Sequence, residues 1–274
     1  MPNLSGYYSL MRVFLVMLLF FCSAQNAVRA GAGSYEQRLA RQLAEEQAAD
    51  EVYWLGQQGS QFLSLYRQQQ GLQTRGAVIL LHGMGGHPDW PDVIRPLREK
   101  MVEFGWATLS LQMPLLPPAE PVADYGGTVD EASRRILLGV KQLQDWNYSN
   151  IVIVGHSFGA ALGATAMSRE ISKAVDALVI VSVQAQPFLN PRLKLMKVLE
   201  SLQLPVLDIY GSRDILEVSR AVHDRRLAAR KGGNSAYQQI SIAGADHYYT
   251  GLADVLAKRI HGWITRKVPA AQSD

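Results

Sequence analysis

The sequence predicts an α/β fold: a mostly parallel central sheet with helices on both faces, an antiparallel hairpin at its N-terminal edge and no large cap domain. Three observations carry that expectation. From Gly76 onward, short apolar runs alternate with helix signals; two strand-like segments joined by a Gly/Ser-rich turn precede them; and the last helical stretch is apolar on one face. At 274 residues, 48% of them hydrophobic, the chain is long enough for one sizeable core.

Residues 1–30 read as a secretory signal peptide. Arg12 is followed by an apolar run from Val13 to Phe21 and then by small and polar residues. That run falls well short of the roughly 20 apolar residues of a spanning helix, so no stable membrane span is expected once the leader is cleaved. Cleavage after Ala24 and after Ala30 both satisfy the small-residue rule. Cys22, the sole cysteine, lies in the leader, which leaves no disulfide, cysteine nucleophile or thiolate metal site downstream. Phe21 stands where a lipidation site wants a small residue. The leader contains Arg12 and Arg29 but no acid, so its loss shrinks the formal charge of +3 and gives nucleic-acid binding no support.

Residues 31–50 are expected to form a helical appendage, because Tyr35 to Asp50 is rich in Ala, Leu, Glu, Gln and Arg with a thin apolar stripe, Leu39 and Leu43. The main domain spans 51–267, and 268–274 is a tail. Val52 to Leu55 and Phe62 to Tyr66, separated by Gly56-Gln57-Gln58-Gly59-Ser60, read as the edge hairpin. Apolar runs at Ala77 to Leu81, Trp106 to Leu111, Asn150 to Val154, Ala177 to Val183, Val206 to Tyr210 and Gln238 to Ile242 suit buried parallel strands. Among the helices, Asp89-Trp90-Pro91 is expected to open one, with Pro91 near its first position. Thr128 and Glu131 have the spacing of a capping box. Leu252, Val255, Leu256, Ile260, Trp263 and Ile264 mark the apolar face of the last helix.

Gly155 to Gly159 read G-H-S-F-G between the apolar run Ile151 to Val154 and the small-residue stretch Ala160 to Ala164. At average Gly and Ser usage such a pentapeptide occurs by chance in about one chain in ten of this length, so context carries the argument. A strand-to-helix turn there lifts a single hydroxyl above the sheet edge, with glycines two before and two after to avoid collision. Ser157 is therefore the candidate nucleophile. Its base and acid are expected downstream, acid first. Of the six histidines, His82, His87 and His156 precede the serine, His223 sits in the charged stretch Arg220 to Arg230, and His261 lies off the apolar face of the last helix. His247, in Gly244-Ala245-Asp246-His247-Tyr248 just after the last strand, is the candidate base. Asp214, in Gly211-Ser212-Arg213-Asp214 past the preceding strand, is the candidate acid. Its rival Asp208 has apolar neighbours mid-strand and reads as a hydrogen-bonded core carboxyl.

The imidazole would take the serine's proton while the carboxylate orients the ring. Backbone N–H groups of Phe158 and Met84 are the candidate oxyanion hole, Met84 lying in His82-Gly83-Met84-Gly85-Gly86 after an earlier strand; a plain glycine turn is the other reading. That stretch fails as a dinucleotide fingerprint, since Pro88 falls at the third glycine, and no G-K-[ST] follows for a phosphate loop. No H-E-x-x-H pair occurs, so neither cofactor nor metal is expected.

Together L-L-H-G-M-G-G, G-H-S-F-G, Y-G-S-R-D and G-A-D-H resemble the α/β-hydrolase superfamily over roughly Val52 to Arg266. His87-Pro88-Asp89-Trp90-Pro91 and Leu111-Gln112-Met113-Pro114 also resemble a bacterial α/β-hydrolase family of unknown function, which implies a Gram-negative envelope protein, periplasmic or secreted. On the residues alone, Asp89 reads equally well as a helix cap and the prolines as loop stiffeners. The expected activity is hydrolysis of a carboxylic ester, a small-molecule or lipid-derived acyl substrate, through an acyl-enzyme. A catalytically idle fold that binds an envelope partner is the alternative from another class, and an amidase or peptidase shares the same triad. No residue is assigned to substrate binding. Met113 to Pro118 reads as an apolar acyl wall or as loop packing, with packing favoured.

Overall fold

The computed structural model describes residues 35–71, 74–167, 170–184 and 193–268. The expected leader therefore lies outside the described residues, as does all of the expected tail but Val268. Eight strands form one sheet: β1 (Val52–Leu55), β2 (Phe62–Arg67), β3 (Gly76–Leu81), β4 (Trp106–Leu111), β5 (Ile151–His156), β6 (Ala177–Val181), β7 (Val206–Gly211) and β8 (Tyr237–Ile242). Their order across the sheet is β1-β2-β4-β3-β5-β6-β7-β8. The β1–β2 and β2–β4 pairs are antiparallel and every other pair is parallel, as the sequence predicts.

Why the central strands read as unbroken apolar runs is plain in β3. Val78 and Leu80 face one layer of helices, while Ala77, Ile79 and Leu81 face the other, and all are buried. The first layer holds α2 (Ile94–Glu103) and α8 (Ala253–Lys267), through Ile94, Leu97, Leu256, Ile260 and Trp263. The second holds α3 (Val129–Asp145), α4 (Phe158–Met167), α5 (Leu195–Ser201) and α7 (Val222–Lys231), with the short α6 (Leu216–Ser219) preceding α7. Every residue of α4 is buried, which its Ala- and Gly-rich sequence permits. Residues 35–45 form α1, which packs Ala40 and Leu43 on Leu63 and Leu65 of β2. Val181 ends β6 and Leu195 opens α5, so that connection has no room for a cap domain. Among the described residues, no helix is long and apolar enough to cross a membrane.

Local expectations differ in several places, each for a physical reason. The α1 stripe is Glu36, Ala40 and Leu43, whereas Leu39 is 37% exposed; Glu36 turns inward to pair with Arg135 at 2.7 Å. The helix expected at Pro91 starts at Ile94, with Pro96 in the first turn, where its missing N–H costs nothing. Asp89 caps no helix, because its carboxylate is taken by Arg95 and Arg98. Thr128 has helical backbone angles and donates to the Tyr125 carbonyl at 2.7 Å, while Glu131 bonds Arg134 and Arg135, so the capping box does not form. In α8, Ala257 joins the buried stripe and Val255 does not. His261 is half-buried, its ring stacked on Phe104 at 4.5 Å, whereas His223 is exposed.

Candidate active site

Ser157 stands alone between the end of β5 and the start of α4, with a left-handed φ of +54°. Its N–H donates to the Val181 carbonyl at 2.8 Å, which ties the turn to β6. The flanking glycines are there for space. A Cβ on Gly155 would meet the Ala160 backbone at 2.6 Å, and one on Gly159 would meet the Leu81 and His82 carbonyls at 2.4 Å. The elbow thus brings the start of α4 against the end of β3, where the Met84 turn begins.

Two further turns converge on this serine. Asp214 follows β7 and His247 follows β8, so parallel pairing places both at the same sheet edge as β5. The turns touch: a Cβ on Gly211 would meet the Ala245 carbonyl at 2.3 Å, and Arg213 N–H donates to that carbonyl at 2.9 Å. His247 Nδ1 lies 2.7 Å from Asp214 Oδ1, and its Nε2 lies 3.2 Å from Ser157 Oγ. Beside a carboxylate the proton sits on Nδ1, which leaves Nε2 as the acceptor facing the serine. All three side chains are buried or nearly so, and the histidine and serine line a hollow of about 260 Å³ together with Met84 and Phe158. A larger hollow of about 390 Å³, at the hairpin edge near Trp54, contains no such pair.

Each oxygen of Asp214 receives two donors. Oδ1 accepts from His247 and from Ile215 N–H at 2.9 Å, and Oδ2 accepts from Ser182 Oγ at 2.5 Å and Gly211 N–H at 3.1 Å. Burial by itself would raise the carboxyl's pKa. The bonds from His247, Ser182 and Gly211 outweigh it and hold the group below its ordinary value of 3.8.

Ser182 and Tyr249 were not among the residues the sequence singles out. Both are buried and both have left-handed backbone, φ +49° and +56°. The Tyr249 hydroxyl lies 3.2 Å from Ser182 Oγ and donates to the Ile209 carbonyl at 3.3 Å. Such conformations cost of order 1–3 kcal/mol each at non-glycine positions and persist where the surroundings over-determine them. Here the surroundings are the acid's own hydrogen bonds. The only local signal for Ser182 is its place at the carboxyl end of an apolar strand.

The histidines that chain order removes as bases buttress the site. Met113 N–H donates to His82 Nε2 at 2.9 Å, so His82 Nδ1–H donates to the Gly83 carbonyl at 2.8 Å and pins the turn carrying Met84. His156 Nε2–H donates to the His247 carbonyl at 2.9 Å. Met113 and Leu115 are buried in the core rather than walling the hollow, which is the packing reading of that loop.

Burial lowers His82 to about 3 and His156 to about 4, from 6.5. The unfolded chain therefore binds more protons below pH 6.5, so this stability is complete above pH 6.5 and is lost as pH falls toward 4. We expect urea midpoints to drop through that window. His156→Gln, which keeps a neutral donor, should flatten the dependence by about 1.4 kcal/mol per pH unit. An unchanged slope would contradict a buried neutral ring.

The family described as Protein of unknown function (DUF3530) matches residues 22–133 and 127–266. The chain belongs to this family. No curated protein sequence matches this DUF3530 member. Solved structures do match it. Est1E from Butyrivibrio proteoclasticus superposes with a TM-score of 0.63 at 16% identity, over 80% of this chain and 99% of Est1E. Dienelactone hydrolase from Anabaena variabilis gives 0.62 at 20% identity, over 79% and 97%. A serine hydrolase without lid from Xanthomonas campestris gives 0.60 at 14% identity, over 81% and 96%. These likenesses establish the α/β-hydrolase fold for the DUF3530 chain.

Proposed function

We propose that this chain is a serine hydrolase that cleaves a carboxylic ester through an acyl-enzyme. The observation that carries the reading is the continuous path from Ser157 Oγ through His247 to Asp214, at 3.2 and 2.7 Å. The hydrolase names of the structural neighbours support it.

In this reading His247 Nε2 takes the hydroxyl proton as Ser157 Oγ attacks the ester carbonyl. The imidazolium is stabilised by Asp214, whose four donors hold it as the anion. Backbone N–H groups of Phe158 and Met84 hold the oxyanion, an effect worth several kcal/mol in related chemistry. Collapse of the tetrahedral intermediate breaks the C–O bond, and His247 returns the proton to the departing alcohol. Water, deprotonated by the same ring, then releases the acid and restores the serine. Residues 1–30 are, in the same proposal, a cleaved leader that delivers the enzyme to the periplasm or beyond, on the strength of Arg12 and the apolar run to Phe21.

A fluorophosphonate probe should label the wild type and not Ser157→Ala, with ester turnover lost in parallel. The labelled protein recovered from the periplasm should begin at Gln25 or Gly31. A wild type that takes no label and turns over no ester overturns the proposal and leaves an idle binding fold, whereas turnover that survives Ser157→Ala overturns the serine's role.

A further inference from the structure

His87-Pro88-Asp89-Trp90-Pro91 takes no part in the proton path, yet it is among the most firmly held segments of the chain. Asp89, buried, accepts from Arg98 Nη2 on Oδ1 and from Arg95 Nε on Oδ2, both at 2.8 Å. Arg98, also buried, reaches on to Glu51 at 2.6 Å and so ties the segment to the start of the hairpin. Ser110 Oγ donates to the Pro88 carbonyl at 2.6 Å, and Asp89 N–H donates to His87 Nδ1 at 3.2 Å. Trp90 N–H donates to the His87 carbonyl at 3.0 Å, and its own carbonyl accepts Arg95 N–H at 2.8 Å.

What this mount holds in place is a half-buried indole that also packs against the apolar layer of α2 and α8. Its ring stands edge-on to His87, with centroids 5.3 Å apart, and lines the hollow that contains Ser157. Tyr248, 46% exposed, lines the same hollow, its ring edge-on to His247 at 5.2 Å. Met84 and Ile215 add apolar surface, and among the described lining residues there is no Lys, Arg, Asp or Glu. Desolvating a carboxylate between two guanidinium groups is expensive and is more than a half-buried tryptophan needs to stay packed. A rigid ring fixed in advance does serve binding, since little entropy remains to be lost when a planar group stacks on it. The hollow, about 260 Å³, is smaller than the roughly 300–1,000 Å³ of drug-sized pockets, which suits one ring and its ester group.

We propose that Trp90 and Tyr248 form an aromatic clamp for the planar, uncharged part of the substrate, so that the site takes small neutral esters that carry an aromatic ring in preference to saturated or anionic ones. The chemistry, though not the clamp, rests on the serine-hydrolase reading. The test uses two pairs matched in intrinsic reactivity, because the ring could belong to either half of the ester: benzyl acetate with cyclohexylmethyl acetate, and methyl phenylacetate with methyl cyclohexylacetate. In at least one pair, kcat/KM for the aryl member should be higher by about tenfold, the scale of one good aromatic contact. Trp90→Leu should bring that ratio close to one, Trp90→Phe should restore most of it, and a para-carboxylate on the ring should lower kcat/KM. Equal rates within both pairs, a ratio indifferent to Trp90→Leu in protein that still takes the fluorophosphonate, or a gain from the carboxylate overturns the clamp. Failure of the hydrolase reading looks different, as no label and no turnover of any ester. The clamp is then read by calorimetric binding of the same pairs to Ser157→Ala: an aryl preference that Trp90→Leu removes supports it, and equal affinities overturn it.

Discussion

On the proposed serine-hydrolase reading, His247→Ala is expected to lower kcat for a reactive ester by about 10⁶-fold and Asp214→Asn by about 10⁴-fold, the losses Ser-His-Asp triads show elsewhere. The smaller number has a structural cause in this chain. Both oxygens of Asp214 face donors: His247 and Ile215 N–H on one, Ser182 and Gly211 N–H on the other. An asparagine must therefore set its NH₂ against donors whichever way it turns. Turned toward Oδ2 the NH₂ meets Ser182, which can rotate its hydroxyl, and Gly211 N–H, which cannot; turned toward Oδ1 it meets Ile215 N–H, equally fixed, and His247, which accepts from it by moving its own proton to Nε2. The ring then keeps its proton on Nε2, the wrong nitrogen to accept from Ser157. The serine, base and oxyanion donors all remain, yet the base is in the unproductive tautomer. Stopped-flow labelling with a fluorophosphonate should slow in proportion to kcat, since both report activation of the same hydroxyl. Pairing His247→Ala with Ser157→Ala should cost no more than either change alone, because the residues act as a unit. Additive losses would mean that they do not share a step.

Much of the sheet is legible in the sequence because a strand buried on both faces must be apolar throughout, as Val78 to Leu81 and Ile151 to Val154 are. The turn at Ser157 is legible for a different reason: Gly155 and Gly159 mark places where any side chain would strike backbone. Chain order and strand ends single out Asp214 and His247, and the fold brings both to the serine. What stays hidden is everything decided by partners distant in sequence. Ser182 is one serine after an apolar run until Asp214, 32 residues on, is known to bond it. Asp89 reads as a cap because an Asp shortly before a Pro near a helix start often is one, whereas the buried Arg98 outbids the backbone for its carboxylate. Thr128 fails as a cap because the 3₁₀ turn Val122–Thr128 leads into α3 with helical angles, which removes the extended geometry a cap requires.

Arg225 is the sharpest case of a hidden partner, and Arg225→Ala should be the most destabilising single change outside the apolar core. It sits in the charged stretch Arg220 to Arg230, yet it is fully buried. Its Nε and Nη2 meet Asp208 Oδ2 and Oδ1 at 2.7 and 3.2 Å, and its Nη1 donates to the Val218 carbonyl at 3.0 Å. Asp208 also accepts from the Tyr237 hydroxyl at 2.6 Å and from Gln239 Nε2 at 2.8 Å. Removing the guanidinium leaves a buried carboxylate with no counter-charge, a loss of about 3–5 kcal/mol in comparable buried pairs. Arg225→Lys should rescue little, because a single ammonium cannot reproduce the two-pronged bond and the carbonyl contact together. Replacing both partners, Asp208→Leu with Arg225→Met, should cost less than either single change: no charge is left unpaired, and the residual cost is two donors, Tyr237 and Gln239, without their acceptor. Urea unfolding of the four proteins closes the cycle. Strictly additive losses would show that the pair contributes through packing alone, and would sink the view that it is an electrostatic unit beneath the acid's loop.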